Sequence, residues 1–315
     1  MKTSLFRRFT VLLILALAAS FPGRAQETYL YANRDSCSLY LDIWRPAASA
    51  VTAIDGVRKP AIMFVFGGGF IQGSRDDKFY LPWFKRLNEE GYPVISIDYR
   101  LGMKGYKMGK GLAGAFKASG QFLQAQQMGV EDVFSAVSFL HENRDELEID
   151  TRNLVVSGCS AGAIIALASA YAIANGQTEG LPEGFAFKGV MSFAGAIIST
   201  TGKPVFKDAP CPLLLLHGTA DAAVSYTHFG TVRRGIWGSS FLYEQLSKKG
   251  WPVSIWRFKD HTHDVAIYMD YVWPIEKDFL EKDVMQGVSR NIDATVSDPS
   301  LPVWRSIGLD DIYKP

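Results

Sequence analysis

A serine lies between two glycines at residues 158–162, where the sequence reads Gly-Cys-Ser-Ala-Gly. An apolar, strand-like run precedes this pentapeptide, and a helix-like run of small residues follows it. A chain that turns directly from a strand into a helix strains its central residue, and side chains two positions before and after it would collide. The pattern therefore predicts that Ser160 is a nucleophile at a helix start, whose partial positive charge favours developing negative charge. An ordinary tight turn is the alternative interpretation.

A serine hydroxyl is a weak nucleophile until a neighbouring base accepts its proton, and histidine is the most frequent base. His263 is the favoured candidate among the five histidines, because it follows the last strand-like run before the predicted final helix. A loop at that point can reach back over the sheet to Ser160. His261 is the second candidate. The other histidines are interpreted as structural or surface residues; they are His141, His217 and His228.

An imidazole base needs a carboxylate that orients its ring and stabilises its cation. Asp221 follows another buried strand-like run, in the sequence HGTAD. Asp260 and Asp264 flank the favoured histidine but are too close in sequence to orient either ring easily. Asp221 is therefore the predicted acid. The order serine, aspartate, histidine along the chain differs from the orders of the trypsin and subtilisin types.

Three consecutive glycines, residues 67–69, directly follow a third apolar run. Backbone without side chains can approach a substrate closely, and its N–H groups can donate to an oxyanion. Gly68, Gly69 and the backbone N–H of Ala161 are the predicted donors. A phosphate-binding loop is the alternative, but neither the G-x-x-x-x-G-K-[ST] nor the G-x-G-x-x-G pattern occurs here.

The elements that must position these residues alternate between strand-like and helix-like runs along most of the chain. Such alternation predicts an α/β fold with a mainly parallel sheet covered by helices on both faces. Two paired strands are expected near the start, at residues 28–33 and 38–44. A final helix is expected at residues 264–282, with a bend at Pro274.

Two stretches fit this alternation poorly, namely residues 103–127 and 222–238. Each should follow the carboxyl end of a strand, which is the side where ligands bind in such sheets. We interpret them as inserts that cover or wall a pocket, with plain surface loop as the alternative. Phe70, Phe229 and Trp237 are candidate substrate-binding residues, because aromatic rings can stack on sugars or phenolic groups. Packing in a core is the more frequent use of such rings.

The first 25 residues have the pattern of a secretory signal, with basic residues, an apolar run at residues 11–19 and small residues before Ala25. The apolar run is shorter than the roughly 20 residues needed to span a bilayer, so no stable membrane anchor is expected. Residues 26–315 are expected to form a single domain, exported to the periplasm or secreted.

The composition and the cysteine spacing argue against a nucleic-acid-binding, a disulfide-rich and a metal-binding protein. The 315 residues carry a net charge of +1 without a basic stripe, which argues against a nucleic-acid partner. The three cysteines form no disulfide framework, and no CxxC or HExxH spacing indicates a metal site.

Taken together, the motifs resemble those of α/β-hydrolases of the carboxylesterase and lipase type. GGGFIQGS, IDYRLG, SGCSAGA, HGTADAAV and THDVA occur in the family's order, and the resemblance extends from about residue 31 to residue 282. The chain is especially similar to exported bacterial esterases, some of which act on acyl groups of plant polysaccharides, such as acetyl or feruloyl groups. The resemblance implies an α/β-hydrolase fold and hydrolysis of a small-molecule or carbohydrate ester without a cofactor.

One position departs from the family pattern, since Phe66 stands where the family usually has a histidine before the glycines. That histidine normally braces the glycine loop, so we expect a differently packed loop with activity retained. A serine exopeptidase and a catalytically silent binding protein of the same fold remain alternative functions.

Overall fold

The computed structural model describes residues 26–34, 37–107 and 111–303. The predicted secretory signal, residues 1–25, lies outside the described residues. The strands in the described part are β1 (Glu27–Arg34), β2 (Cys37–Trp44), β3 (Ala53–Ile54), β4 (Val57–Arg58), β5 (Ala61–Val65), β6 (Val94–Ile97), β7 (Leu154–Cys159), β8 (Gly189–Phe193), β9 (Ala196–Ser199), β10 (Leu213–Gly218), β11 (His228–Gly230), β12 (Gly235–Gly238), β13 (Val253–Phe258) and β14 (Asp293–Val296). The α-helices there are α1 (Leu81–Glu89), α2 (Gly111–Glu142), α3 (Arg144–Leu147), α4 (Ala161–Ala174), α5 (Ser239–Ser247) and α6 (Trp273–Asp278).

The central sheet has nine strands in the order β1-β2-β6-β5-β7-β8-β10-β13-β14. β1 and β2 form an antiparallel pair, β2 is antiparallel to β6, and the pairings from β6 onward are parallel. The inner strands β5, β6, β7, β8 and β10 are buried along their whole length, which explains why they read as continuous apolar runs. The predicted mainly parallel α/β sheet is confirmed.

Helix α4 packs directly on β7 and β8 and also contacts α2. Most of its residues are alanine, glycine or isoleucine, and nearly all of them are buried. A helix that is apolar on every side has to be enclosed, and small side chains allow neighbouring backbones to come close. The serine at its start is thereby held against the middle of the sheet.

A second, smaller sheet joins β11, β12 and β9 in antiparallel order. Two of its strands come from the stretch 222–238 that fitted the alternation poorly. Much of the other such stretch belongs to α2, which begins at Gly111 and runs as one helix to Glu142. In the sequence, apolar periodicity of the helical kind is clear only from Val130, because glycines and lysines interrupt it before that residue.

The prediction of one bent final helix at residues 264–282 is wrong. The structure has a 3₁₀ turn at His263–Ile267, then α6, then a wider π-type turn at Phe279–Met285. Pro274 lies in the first turn of α6 and therefore bends nothing. The first turn tolerates proline because its N–H groups have no partner within the helix.

Candidate active site

Ser160 lies between the end of β7 and the start of α4 with a φ angle of 52°, which is unfavourable for a side chain of this kind. A Cβ atom on Gly158 would lie 2.4 Å from the carbonyl carbon of Gly162. A Cβ atom on Gly162 would lie 2.0 Å from the carbonyl oxygen of Val65. The predicted steric requirement for two glycines around the serine is confirmed.

The structure brings together the three side chains that the sequence singled out. His263 Nε2 lies 2.8 Å from Ser160 Oγ, and His263 Nδ1 lies 2.8 Å from Asp221 Oδ2. All three residues are buried. They meet because Asp221 follows β10 and His263 follows β13, and β10 and β13 are parallel neighbours whose carboxyl ends face the same edge.

The carboxylate of Asp221 is surrounded by donors. Its Oδ1 accepts the backbone N–H groups of Ala223 and Val224, each at 2.9 Å. Burial by itself would raise the pKa of Asp221, but hydrogen bonds from His217 and His263 outweigh burial and hold that pKa below its ordinary value. An ionised Asp221 makes His263 Nδ1 a donor, which leaves Nε2 to accept the serine proton.

His217 contributes to the site in a way that sequence reasoning missed. Its Nε2 lies 3.2 Å from Asp221 Oδ2 and 3.0 Å from the carbonyl oxygen of Val224, while its Nδ1 lies 2.8 Å from Ser239 Oγ. His217 and His263 therefore contact the same oxygen of the Asp221 carboxylate, Oδ2. Its position four residues before Asp221 was the available signal.

The other histidines are engaged elsewhere. His261 Nδ1 lies 3.0 Å from Asp264 Oδ2 and 2.9 Å from the hydroxyl of Tyr268, so it is His263 that reaches the serine. His141 Nδ1 lies 3.1 Å from the hydroxyl of the buried Thr151. His228 is exposed, with its ring centroid 4.8 Å from that of Trp237.

The glycine loop lies directly against the nucleophile turn, since a Cβ atom on Gly67 would lie 3.1 Å from the carbonyl oxygen of Cys159. Gly68 and Gly69 have φ angles of 112° and 62°, which glycine adopts without strain. Gly69 and Ala161 line a cavity together with the serine. Gly68 is the residue before Gly69, and its carbonyl oxygen accepts the backbone N–H groups of residues 71 and 72. The donor role of these three glycine and alanine N–H groups stays a prediction.

The loop is braced without the usual histidine. The ring of Phe66 stacks on Tyr99 at a centroid distance of 4.5 Å, and the Tyr99 hydroxyl donates to the carbonyl of Phe66 at 3.1 Å. The N–H of Gly67 donates to the hydroxyl of Tyr80 at 3.2 Å, and the same hydroxyl lies 3.5 Å from Cys159 Sγ. These contacts hold the glycine loop in this chain, and retained activity without the histidine stays a prediction.

An apolar cavity of about 30 Å³ opens beside Ser160. Phe70 lines it, as predicted, and does so with a strained φ of 61°. Both poorly patterned stretches contribute to its walls, the first through α2 and the second through the loop before β11 and through β12. The remaining lining side chains are Phe122, Ile164, Ile198, Ala223, Val224 and Ile236.

The prediction that Phe229 and Trp237 shape this cavity is wrong. Trp237 follows Ile236 in β12, and successive side chains of a strand point to opposite faces, so Trp237 is buried against His228 and Phe241 instead. Phe229 pairs with Ile236 but belongs to the outer strand of the small sheet, and it is 66% exposed.

No cluster of three or more His, Cys, Asp or Glu side chains that could hold a metal ion occurs in the described ranges. Among the helices of the same ranges, none combines the length and the hydrophobicity that a membrane crossing requires.

Similar proteins were found by sequence. The model of the carboxylesterase family matches residues 20–198, which include the glycine loop and Ser160. A non-reducing polyketide synthase of Penicillium brasilianum is 29% identical over 146 residues, which are 46% of this chain and 5% of the synthase. The fumonisin B1 esterase of Sphingopyxis macrogoltabida is 29% identical over 140 residues, which are 44% of this chain and 24% of the esterase. The chain therefore matches a quarter or less of the length of these relatives.

The fold is also that of a solved structure, the thermophilic esterase Est2 of Thermogutta terrifontis. The two share a TM-score of 0.55 and 21% sequence identity, over 82% of this chain and 92% of the other. The family match includes Ser160 and ends before Asp221 and His263. The family model matches more than half of this chain, and the chain therefore belongs to the carboxylesterase family.

Proposed function

We propose that the protein is a serine hydrolase of carboxylic esters, with Ser160 as nucleophile, His263 as general base and Asp221 as the orienting acid. The proposal rests on two hydrogen-bond contacts of 2.8 Å each. One joins the Ser160 hydroxyl to the His263 imidazole, and the other joins that imidazole to the Asp221 carboxylate. Hydrogen-bond contact between nucleophile and base, with the base oriented by a third group, is what activation of a serine requires.

In the proposed reaction, His263 accepts the proton of Ser160 while the serine oxygen attacks the ester carbonyl. The N–H groups of Gly68, Gly69 and Ala161 hold the resulting oxyanion, and loss of one such donor typically costs about 2.7–4 kcal/mol of transition-state stabilisation. His263 then protonates the leaving alcohol. Water then attacks the acyl-serine and gives a proton to the same imidazole, which passes it to the Ser160 oxygen as the bond to the acyl group breaks and the acid is released.

The proposed substrates are small-molecule or carbohydrate esters, with acetyl and feruloyl groups of polysaccharides as the two candidate acyl classes. Export is part of the proposal, since residues 1–25 have the composition of a secretory signal. The apolar lining of the cavity supports a neutral acyl group, because an uncompensated charge would be costly to bury there.

The test compares Ser160→Ala with Ser157→Ala, a matched control that removes another buried hydroxyl from β7. We expect Ser160→Ala to lose hydrolysis of p-nitrophenyl acetate by about 10⁴–10⁶-fold and to lose labelling by a fluorophosphonate probe. Ser157→Ala should keep both. Circular dichroism of each variant checks that the fold is intact.

Two results would contradict the proposal. Wild-type protein that neither reacts with the probe nor cleaves any ester would favour the catalytically silent alternative. Protein that labels at Ser160 but prefers aminoacyl anilides to esters would favour the exopeptidase.

A further inference from the structure

We propose that His217 is a positioning residue of the catalytic site, which together with Ser239 fixes the carboxylate of Asp221 and limits its hold on the His263 cation. This inference rests on the proposed function. The contacts run from Ser160 through His263, Asp221 and His217 to Ser239. A second imidazole and a second serine hydroxyl therefore continue the hydrogen bonds of the three catalytic residues.

The proton on His217 Nε2 follows from the two partners of that atom. Nε2 lies 3.2 Å from Asp221 Oδ2 and 3.0 Å from the carbonyl oxygen of Val224. A carboxylate oxygen and a carbonyl oxygen can only accept, so Nε2 carries a hydrogen whether the ring is neutral or charged. His217 therefore donates to the same carboxylate oxygen that receives the N–H of His263 Nδ1.

Ser239, the first residue of α5, holds the other nitrogen of the ring. Its Oγ lies 2.8 Å from His217 Nδ1 and 3.2 Å from the carbonyl oxygen of Gly195. His217 and Ser239 are both completely buried. With a partner at each nitrogen, the ring cannot turn away from Asp221 without leaving buried polar groups unsatisfied, which costs free energy.

The other charged group beside His217 is already paired. Arg257 of β13 is the register neighbour of His217, and its guanidinium bonds both carboxylate oxygens of Asp293 in β14, at 2.6 and 2.9 Å. The ring of Tyr226 packs on the His217 ring at a centroid distance of 5.6 Å, and its hydroxyl accepts from Arg257. Helix α5 contributes serine hydroxyls at its start, and the turn after β13 contributes His263. The catalytic carboxylate is therefore the ionised group to which His217 donates.

The shared carboxylate oxygen affects the basicity of His263. During the reaction, Asp221 Oδ2 stabilises the positive charge that His263 gains with the serine proton. A second N–H donor on that oxygen leaves less negative charge for the cation, so His217 weakens the hold of the carboxylate on it. His263 then stays neutral, and able to accept a proton, down to lower pH. The same donor keeps Oδ2 in place for His263 Nδ1.

The experiment measures kcat and KM for p-nitrophenyl acetate across the pH range in the wild type, His217→Leu and His217→Gln. Leucine removes the donor, whereas the glutamine amide can still donate to Asp221. For His217→Leu we expect kcat to fall about 10-fold and the acid limb of the pH profile to move to higher pH by at least about 0.5 unit. KM should stay within about twofold, because His217 does not line the cavity beside Ser160. His217→Gln should restore most of both losses.

Ser239→Ala tests the outer part of the network, and it provides the readout if His217→Leu does not fold. It should move kcat and the acid limb in the same directions by less, with kcat lowered about 2–5-fold. A variant with both substitutions should lose no more activity than His217→Leu, since Ser239 acts through His217.

Ser240→Ala is the matched control. Ser240 is the next residue of α5 and is also buried, but its hydroxyl accepts from Arg257 at 3.0 Å and not from His217. Its removal should leave kcat and the acid limb unchanged. Circular dichroism checks that each variant is folded.

Four outcomes would overturn the role given to His217 while leaving the esterase proposal standing. One is a folded His217→Leu that loses stability but keeps kcat and the acid limb. Another is an acid limb that moves to lower pH. The third is an equal loss of kcat in His217→Gln and His217→Leu, and the fourth is an equal effect of Ser239→Ala and Ser240→Ala. Absence of ester hydrolysis and of fluorophosphonate labelling in the wild type would instead overturn the proposed function itself.

Discussion

Two histidines that follow β13, His261 and His263, are each paired with an aspartate. In one, His263 Nδ1 is 2.8 Å from Asp221 Oδ2, and in the other, His261 Nδ1 is 3.0 Å from Asp264 Oδ2. All four residues are buried. The residue types, the distances and the burial are therefore nearly the same in both pairs.

The pairs differ in what else each of them contacts. His263 presents Nε2 to the hydroxyl of Ser160, which borders a cavity. His261 instead shares its Nδ1 with the hydroxyl of Tyr268, which also bonds Asp264 at 3.0 Å and the carbonyl of Pro302. The second pair closes a local turn. The comparison shows that only one of the two similar imidazole–carboxylate pairs reaches a hydroxyl beside a cavity, and the proposed function assigns catalysis to that pair.

The largest expected effect separates the two histidines. His263→Asn should lower kcat/KM for p-nitrophenyl acetate by about 10⁴–10⁶-fold, because no base then accepts the serine proton. His261→Asn should keep kcat/KM within about tenfold of the wild type and lower the free energy of unfolding by about 1–3 kcal/mol through lost buried hydrogen bonds. Steady-state kinetics and urea unfolding measure the two quantities. Equal losses of activity in the two variants would contradict the different roles given to His263 and His261.

The two aspartates should differ in the same way, with a somewhat smaller effect. Asp221→Asn should reduce kcat by about 10⁴-fold, since an amide that donates to the imidazole imposes the wrong tautomer. Asp264→Asn should affect mainly stability. The kinetic comparison uses the same ester and checks by circular dichroism that both variants are folded; a larger kinetic loss in Asp264→Asn would contradict it.

A third substitution tests the local pair alone. Tyr268→Phe removes the hydroxyl that joins His261, Asp264 and Pro302, and it should cost about 1–3 kcal/mol of unfolding free energy. The catalytic constants should not change. Tyr271→Phe is the control, because Tyr271 is a neighbouring tyrosine that is 55% exposed. Thermal and urea unfolding of the two variants show whether the hydroxyl of Tyr268 stabilises the turn.

Glu276 is a buried carboxyl group without a histidine partner, and it can be compared with Asp221. Glu276 receives a hydrogen bond from Trp83 Nε1 at 2.8 Å, and its Oε1 has no hydrogen-bond partner among the described residues. Burial, reinforced by Asp270, raises the pKa of Glu276 well above its ordinary value. Asp221 is also buried, but two histidines donate to it and its pKa is lowered. The donors decide the direction of the shift.

The raised pKa of Glu276 has a consequence for stability. Above about pH 4.3 the unfolded chain releases this proton while the folded chain keeps it, so the group's contribution to stability falls as pH rises towards the folded pKa. Glu276→Gln removes that loss and should raise the melting temperature at pH 8 by roughly 2–4 °C. The gain should shrink at pH 5. Glu244→Gln, at an exposed position of α5, should show neither change, and a pH-independent gain in Glu276→Gln would refute the explanation.

Several features were predictable because they depend on neighbours in the chain. The two glycines around Ser160 follow from local sterics, and the buried strands follow from continuous apolar runs. The positions of Asp221 and His263 after successive strands indicated which residues could meet. The final helix was mispredicted, because apolar periodicity does not distinguish a 3₁₀ turn, a short α-helix and a π-type turn.

The sequence by itself determined the nucleophile turn, the order of the three polar residues and the class of sheet, since each depends on local sterics or on the period of apolar residues. The tertiary structure alone decided that His263 faces the serine while His261 does not, and that His217 holds the same carboxylate. It also decided which apolar side chains line the cavity. Those choices depend on distances between residues far apart in the chain, and pairing across the small sheet sets which face each side chain of β9 and β12 occupies.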